Sequence, residues 1–181
     1  IEPIAEIARI VRRFPKAFLH SDLTQAIGKI DMPLQDIDLF SFSAHKFGGM
    51  KGSGALVCKK TMRFLPLLSG GEQEKGLRAG TVDVAGAKAM AVALQLAEKN
   101  KKANLDRMEH LRNSFVEKLR HIEGIVMNSP SNASPYVIDF SLRNHKASVV
   151  VEALSNRGFD VSSVSACSSK GEPSSYVLLA M

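Results

Sequence analysis

Three features of the sequence predict an α/β fold: an opening helical repeat, short apolar segments that end in polar clusters, and enough chain between the first two segments for a parallel crossover. In residues 4–14, Ile4, Ile7, Ala8 and Val11 recur at helical spacing behind Pro3, a favoured first-turn residue. Residues 17–19 then read as a strand running into His20, Ser21 and Asp22, and residues 38–43 as a second strand running into Ala44, His45 and Lys46. About 16 residues separate Asp22 from Asp38, above the minimum of about 10–12 that joins parallel strands. Ligands of open parallel sheets gather at the carboxyl ends of strands, so the clusters at 20–25 and 43–46 are expected to face one another.

The remaining elements follow from the same signals. Residues 54–58 (GALVC) read as a third strand, and residues 67–84, with Gly70, Gly71, Gly76 and Gly80, as a loop. Apolar positions from Ala87 through Met90, Leu94, Leu105, Met108 and Leu119 predict a long helix over 84–121, with a break near residues 100–104. Residues 136–142 alternate as a strand, residues 147–157 are helical with Gly158 as the stop, and residues 161–163 form a further short strand. A Ser-rich loop and an apolar turn at 176–181 complete the pattern. The long helix divides the chain into a first domain over residues 1–100 and a smaller one over 101–181.

Composition narrows the function classes. The 181 residues are 45% hydrophobic and 23% charged, in the range of ordinary folded domains. The net charge of +6 is spread along the chain, and its densest group, Lys99, Lys101 and Lys102, reads as a solvated helix face. With no Trp and no nucleic-acid motif, nothing in the sequence points to nucleic acid. No apolar run approaches the length of a membrane span. Two cysteines, Cys58 and Cys167, make neither a metal set nor a disulfide framework, which is the pattern of a reducing compartment and leads us to expect a cytoplasmic protein. Both ends fall within structured-looking sequence, so the chain is expected to be a fragment.

Lys46 is the first chemical candidate. An amine beside a strand end can form a Schiff base with an aldehyde when burial or neighbouring positive charge lowers its pKa; read alone, it is equally a solvated lysine in a turn. Asp22 could serve the ring nitrogen of pyridoxal phosphate, which needs a carboxylate to stay protonated, or could cap the segment that follows. Gln25 could meet the ring hydroxyl, and Ser43 and His45 could donate to phosphate oxygens. His20 shares a strand face with Asp22 and either lines the pocket or packs. Cys167 lies in a polar run with Ser163, Ser165, Ser168 and Ser169, where a thiol is either inert or a mobile nucleophile; Cys58, behind Leu56 and Val57, reads as packed core.

Four segments in order, residues 20–29 (HSDLTQAIGK), 41–49 (SFSAHKFGG), 70–81 (GGEQEKGLRAGT) and 165–169 (SACSS), resemble the landmarks of NifS-type cysteine desulfurases, class-V aminotransferase relatives within the fold-type I pyridoxal enzymes. The resemblance implies part of a large cofactor domain followed by most of a small α+β domain. It implies pyridoxal 5'-phosphate as cofactor, Lys46 as the Schiff-base lysine, Asp22 on the pyridine nitrogen, Gln25 on the ring hydroxyl, and Ser43 and His45 on phosphate. It further implies that Thr81, with Arg78 nearby, reaches the phosphate of the other subunit of a homodimer with shared sites. Cys167 is implied to take sulfur from L-cysteine as a persulfide, leaving alanine, and to pass it to an acceptor or scaffold protein for iron–sulfur clusters or thiolated RNA. A selenocysteine lyase or another class-V activity is the alternative within the resemblance, and a catalytically incompetent folded fragment the alternative outside it. The family's ring-stacking His, its cofactor-binding Asn and Thr-rich turn, and its substrate-carboxylate Arg have no counterpart among these residues, so the chain is expected not to complete a site by itself.

Overall fold

A computed structural model describes residues 2–163. Residues 164–181 lie outside it, and with them Cys167 and the expected turn at 176–181. The chain divides into two compact units, Ile1–Arg107 and Met108–Met181.

The first unit opens with helix α1 (Ile4–Val11), which buries Ile4 and Ala8 one turn apart. Strands β1 (His20–Asp22), β2 (Leu39–Ser43) and β3 (Gly54–Cys58) form one sheet in that order. β1 and β2 are parallel, with His20 opposite Leu39 and Asp22 opposite Ser41, as the crossover length predicts. β3 returns antiparallel to β2, with Ser43 opposite Gly54. The first strand is displaced from its expected place: residues 17–19 are not a strand, and β1 occupies the polar residues that follow. Only Leu19 of those three is buried, and its carbonyl accepts from the Asp38 and Leu39 amides, so the ladder begins where the apolar run ends.

The core gathers Ile4, Ala8, Leu19, Leu23, Ile27, Ile37 and Phe42, with Phe47, Met90 and Leu94 packed against it. Burial of this order, at about 25 cal/mol per Å² of apolar surface, is what holds α1 and the crossover to the sheet. Helix α2 (Val84–Arg120) begins at Asp83, whose Oδ1 accepts from the Gly86 amide at 2.9 Å. α2 packs against the crossover at Gly28, where an added Cβ would stand 2.8 Å from the Ala97 Cβ and where φ is +72°, so glycine is required on both counts. The expected break near residues 100–104 is absent: α2 is continuous, and Lys101, inside the expected break, bonds Glu98 on the same helix and Asp31 at 2.7 Å. No helix among the described residues is long and apolar enough to cross a membrane.

In the second unit, β4 (Ile125–Met127) and β5 (Phe140–Leu142) pair antiparallel, and α3 spans Ala147–Ser155. β5 is shorter than the 136–142 alternation predicts, and β4, with only three residues, gave no periodic signal. Residues 161–163 are not a strand. Arg112 of α2 donates to the Pro130 carbonyl at 3.0 Å, tying the helix to the segment between β4 and β5.

Candidate active site

Asp22 ends β1, and the chain leaves β2 at Ser43 into a single tight helical turn, Ala44–Phe47. Because the two strands are parallel and in the register given above, Asp22 and the Ser43–Lys46 turn occupy the same end of the sheet. Two adjacent glycines make this turn possible. Gly48 closes it at φ +91°, and a Cβ on Gly49 would lie 2.7 Å from the Ala44 Cβ and 3.0 Å from the Ala44 carbonyl oxygen. The Gly49 amide donates to that carbonyl at 2.9 Å, and the Ala44 amide donates to Ser53 O at 3.0 Å, so the turn is bonded to the start of β3. The Phe42 and Phe47 rings, with centroids 5.8 Å apart, brace it from the core side.

The side chains at this end are sparsely partnered. Asp22 Oδ1 accepts from the Thr24 amide at 2.8 Å. The Thr24 hydroxyl, then its amide, hold the Asp22 carboxyl below its ordinary pKa against the opposing effect of desolvation; the nearby His20 adds a smaller push in the same direction. Among the described residues no cation pairs with Asp22, and Lys46, half-buried, makes no ion pair or hydrogen bond. The capping alternative for Asp22 is met in part: it closes a turn at Thr24, but residues 23–29 form turns rather than a helix. His20 and Asp22 share the exposed face of β1, as their spacing predicts.

Gln25 follows β1 on the crossover, and its Oε1 accepts from Lys29 Nζ at 2.9 Å. Burial, and after it the positive charge of Lys46, hold Lys29 below its ordinary pKa. Gln25, Lys29 and Lys46 therefore belong to one electrostatic neighbourhood. Thr81 is exposed in the segment before α2 and hydrogen-bonds to none of these residues; Arg78 donates to Ala79 O at 3.0 Å. Cys58 is half-buried on β3 and outside the core, and its neighbours Leu56 and Val57 are exposed, so the packed role expected of it is not met: β3 is left partly uncovered among the described residues. No group of three or more His, Cys, Asp or Glu among the described residues could hold a metal ion.

The sequence reading missed two features. Asp38 is 5% exposed and binds Arg12 and Lys59, each at 2.8 Å, with the Leu19 amide at 2.9 Å. Its partners lie 26 and 21 positions away, beyond any local pattern. The Lys29–Gln25 bond has only its four-residue spacing as a signal in the sequence.

Class-V aminotransferases match residues 1–179. The chain belongs to this family. It is 37% identical over its whole length to the cysteine desulfurase IscS of Dictyoglomus turgidum, 47% of which it covers, and 34% identical, again over its whole length, to the IscS-like cysteine desulfurase of Mycobacterium tuberculosis, also at 47% coverage. Among solved structures, a NifS-like protein superposes with a TM-score of 0.83 at 37% identity, over 90% of this chain and 45% of that one. A NifS-like protein from Rickettsia africae gives a TM-score of 0.83 at 29% identity, over 88% and 45%. The fold is thus that of the fold-type I enzymes. The chain spans about half the length of the relatives it matches.

Pyridoxal phosphate is the cofactor of class-V enzymes, and the residues at the carboxyl end of β1 and β2 fit it. Among the described residues, Asp22 is ionised without a paired cation and the Lys46 amine has no ion pair or hydrogen bond. Ser43 and His45 add a hydroxyl and an imidazole on the same turn.

Proposed function

We propose that the protein containing this chain is a pyridoxal-phosphate-dependent cysteine desulfurase that converts L-cysteine to L-alanine. The observation that carries the reading is the parallel β1–β2 pair, which brings a carboxylate held ionised, Asp22, to the same sheet end as a lysine, Lys46, that has no ion pair among the described residues. The named relatives support the choice of cysteine among class-V substrates.

When bound, the cofactor supplies an electron sink that stabilises negative charge at the substrate α-carbon. In the proposed roles, Lys46 Nζ binds the cofactor aldehyde and, once freed, takes the proton from that carbon. Asp22 holds a proton on the ring nitrogen, Gln25 donates to the ring hydroxyl, and Ser43 and His45 bind phosphate. The Cys167 thiolate attacks the substrate sulfur; the carbon–sulfur bond breaks, a persulfide remains on Cys167, and the three-carbon product leaves as alanine after protonation. A sulfur acceptor or scaffold protein then receives the sulfur. Thr81 serves the phosphate of a second subunit in a homodimer, and the reducing cytoplasm keeps Cys167 a thiol.

Borohydride reduction of the full-length protein with pyridoxal phosphate tests the assignment. Lys46→Ala removes the trapped adduct, and an adduct persisting on another lysine overturns it. Cys167→Ala separates desulfuration from other class-V chemistry, since it abolishes alanine release from cysteine while leaving the Lys46 adduct intact; a variant that keeps desulfurase turnover removes the persulfide step.

A further inference from the structure

Lys29 has no role in the reading above, yet it touches one of its residues and feels another. Its Nζ donates to Gln25 Oε1 at 2.9 Å, four positions back along the turns that follow β1. An ammonium carries donors only, so the amide it meets must turn its oxygen inward and has only its Nε2 hydrogens left to offer elsewhere. A glutamine without such a neighbour presents either end with similar ease, and one end is wrong: a carbonyl oxygen repels an oxygen substituent that the amide hydrogens would bind.

We propose that Lys29 is a positioning residue that fixes the Gln25 side-chain amide with its NH2 group presented as the donor. The inference rests on the proposed cofactor reading for the identity of the acceptor, the ring hydroxyl oxygen of pyridoxal phosphate. Two further observations support it. Lys29 is partly buried and Gln25 exposed, so the bond runs from a partly desolvated ammonium to an amide at the surface, and a charged donor makes it stronger than a neutral one. Burial, and after it the positive charge of Lys46, lower the Lys29 pKa, so Lys46 is felt at the Gln25–Lys29 pair.

The test uses the full-length protein with Lys29→Met, Lys29→Arg, Gln25→Ala and the Lys29→Met/Gln25→Ala pair. Pyridoxal phosphate binding, followed by absorbance, is expected to weaken about 3- to 10-fold in Lys29→Met and to a similar degree in Gln25→Ala, the range of one hydrogen bond. Lys29→Arg, which keeps a donor-only cation, restores binding to within about twofold, and Lys29→Met adds nothing once Gln25 is Ala. A Lys29→Met loss that persists undiminished in the Gln25→Ala background overturns the proposal, as does unaltered binding in Lys29→Met. Crystal structures of the parent and Lys29→Met without cofactor separate this from the cofactor reading. The Gln25 amide is expected to turn or split into two conformers only in the variant, and an amide unmoved in Lys29→Met overturns the proposal even if the cofactor binds. An amide released in Lys29→Met alongside no reducible adduct at Lys46 sustains the Lys29–Gln25 arrangement and sinks the cofactor reading instead.

Discussion

Two aspartates stand at opposite ends of the parallel strand pair and do opposite things. Asp38, just before β2, is buried and meets two cations and a backbone amide, all within 2.9 Å. Asp22, at the far end of β1, is exposed and accepts from the Thr24 amide at 2.8 Å, with no cation paired to it among the described residues. Both carboxyls sit below their ordinary pKa, but for different reasons. For Asp38 the Arg12 hydrogen bond leads, followed by the Leu19 amide and Lys59, and together they outweigh its desolvation; for Asp22 a neighbouring hydroxyl and amide suffice. A saturated carboxylate ties α1, β2 and β3 together and has nothing left to give a ligand. An ionised carboxylate with no cation beside it is available to one.

The difference can be broken from either end. The largest effect is expected at Asp22. Asp22→Ala in the full-length protein lowers kcat by about 10²-fold, the scale of losing one fixed electrostatic partner, while lowering the unfolding free energy by less than about 1 kcal/mol. Steady-state kinetics beside a urea melt would show this, and equal losses in both would return Asp22 to a capping role.

Asp38 should behave in the reverse way. Asp38→Ala is expected to destabilise by about 2 kcal/mol, less than the roughly 3–5 kcal/mol of a fully buried pair because Arg12 and Lys59 keep much of their hydration. Reducible adduct at Lys46 should be unaffected wherever the variant is folded. The pH dependence sharpens the contrast. A carboxyl whose folded pKa is depressed contributes stability above its unfolded value, here about 3.8, and loses it as pH falls from there toward the lower folded value. Urea melts between about pH 2 and 5 should therefore show an acid loss of stability below the unfolded value that Asp38→Ala largely lacks.

The smallest effect is assigned to Thr24. Removing its hydroxyl in Thr24→Ala lets the Asp22 pKa rise toward the ordinary value, because that hydroxyl is the leading cause of the depression. The acid limb of a kcat/KM profile should move to higher pH, with the Thr24 amide still holding the carboxyl below its ordinary pKa. An unmoved limb would detach Asp22 from the proton inventory of the reaction.

Much of this was legible in residue order. The parallel crossover followed from the chain length between Asp22 and Asp38, and the turn at 44–47 from the two glycines behind it. The first strand was misplaced because apolar character marks burial, whereas strand pairing follows backbone hydrogen bonds: Leu19 supplies the core contact, and polar His20–Asp22 supply the ladder. The continuous α2 defeats a local reading for a similar reason. Polar residues 100–104 weaken the apolar repeat, but side-chain bonds from Lys101 to Glu98 and Asp31 support the helix there. The exposed apolar residues Leu65 and Leu67, 95% and 94% accessible, gave no sign of their exposure in the sequence.

By itself, then, the sequence determined the α/β class and the parallel pair that brings Asp22 and residues 43–46 to one sheet end, because periodicity and crossover length act over neighbouring residues. The tertiary structure decided which charges are spent and which remain available. Arg12 and Lys59 reach Asp38 from α1 and the end of β3, and the field of Lys46 reaches Lys29 across the site. Such electrostatic pairings depend on distance in space, which chain order alone does not encode.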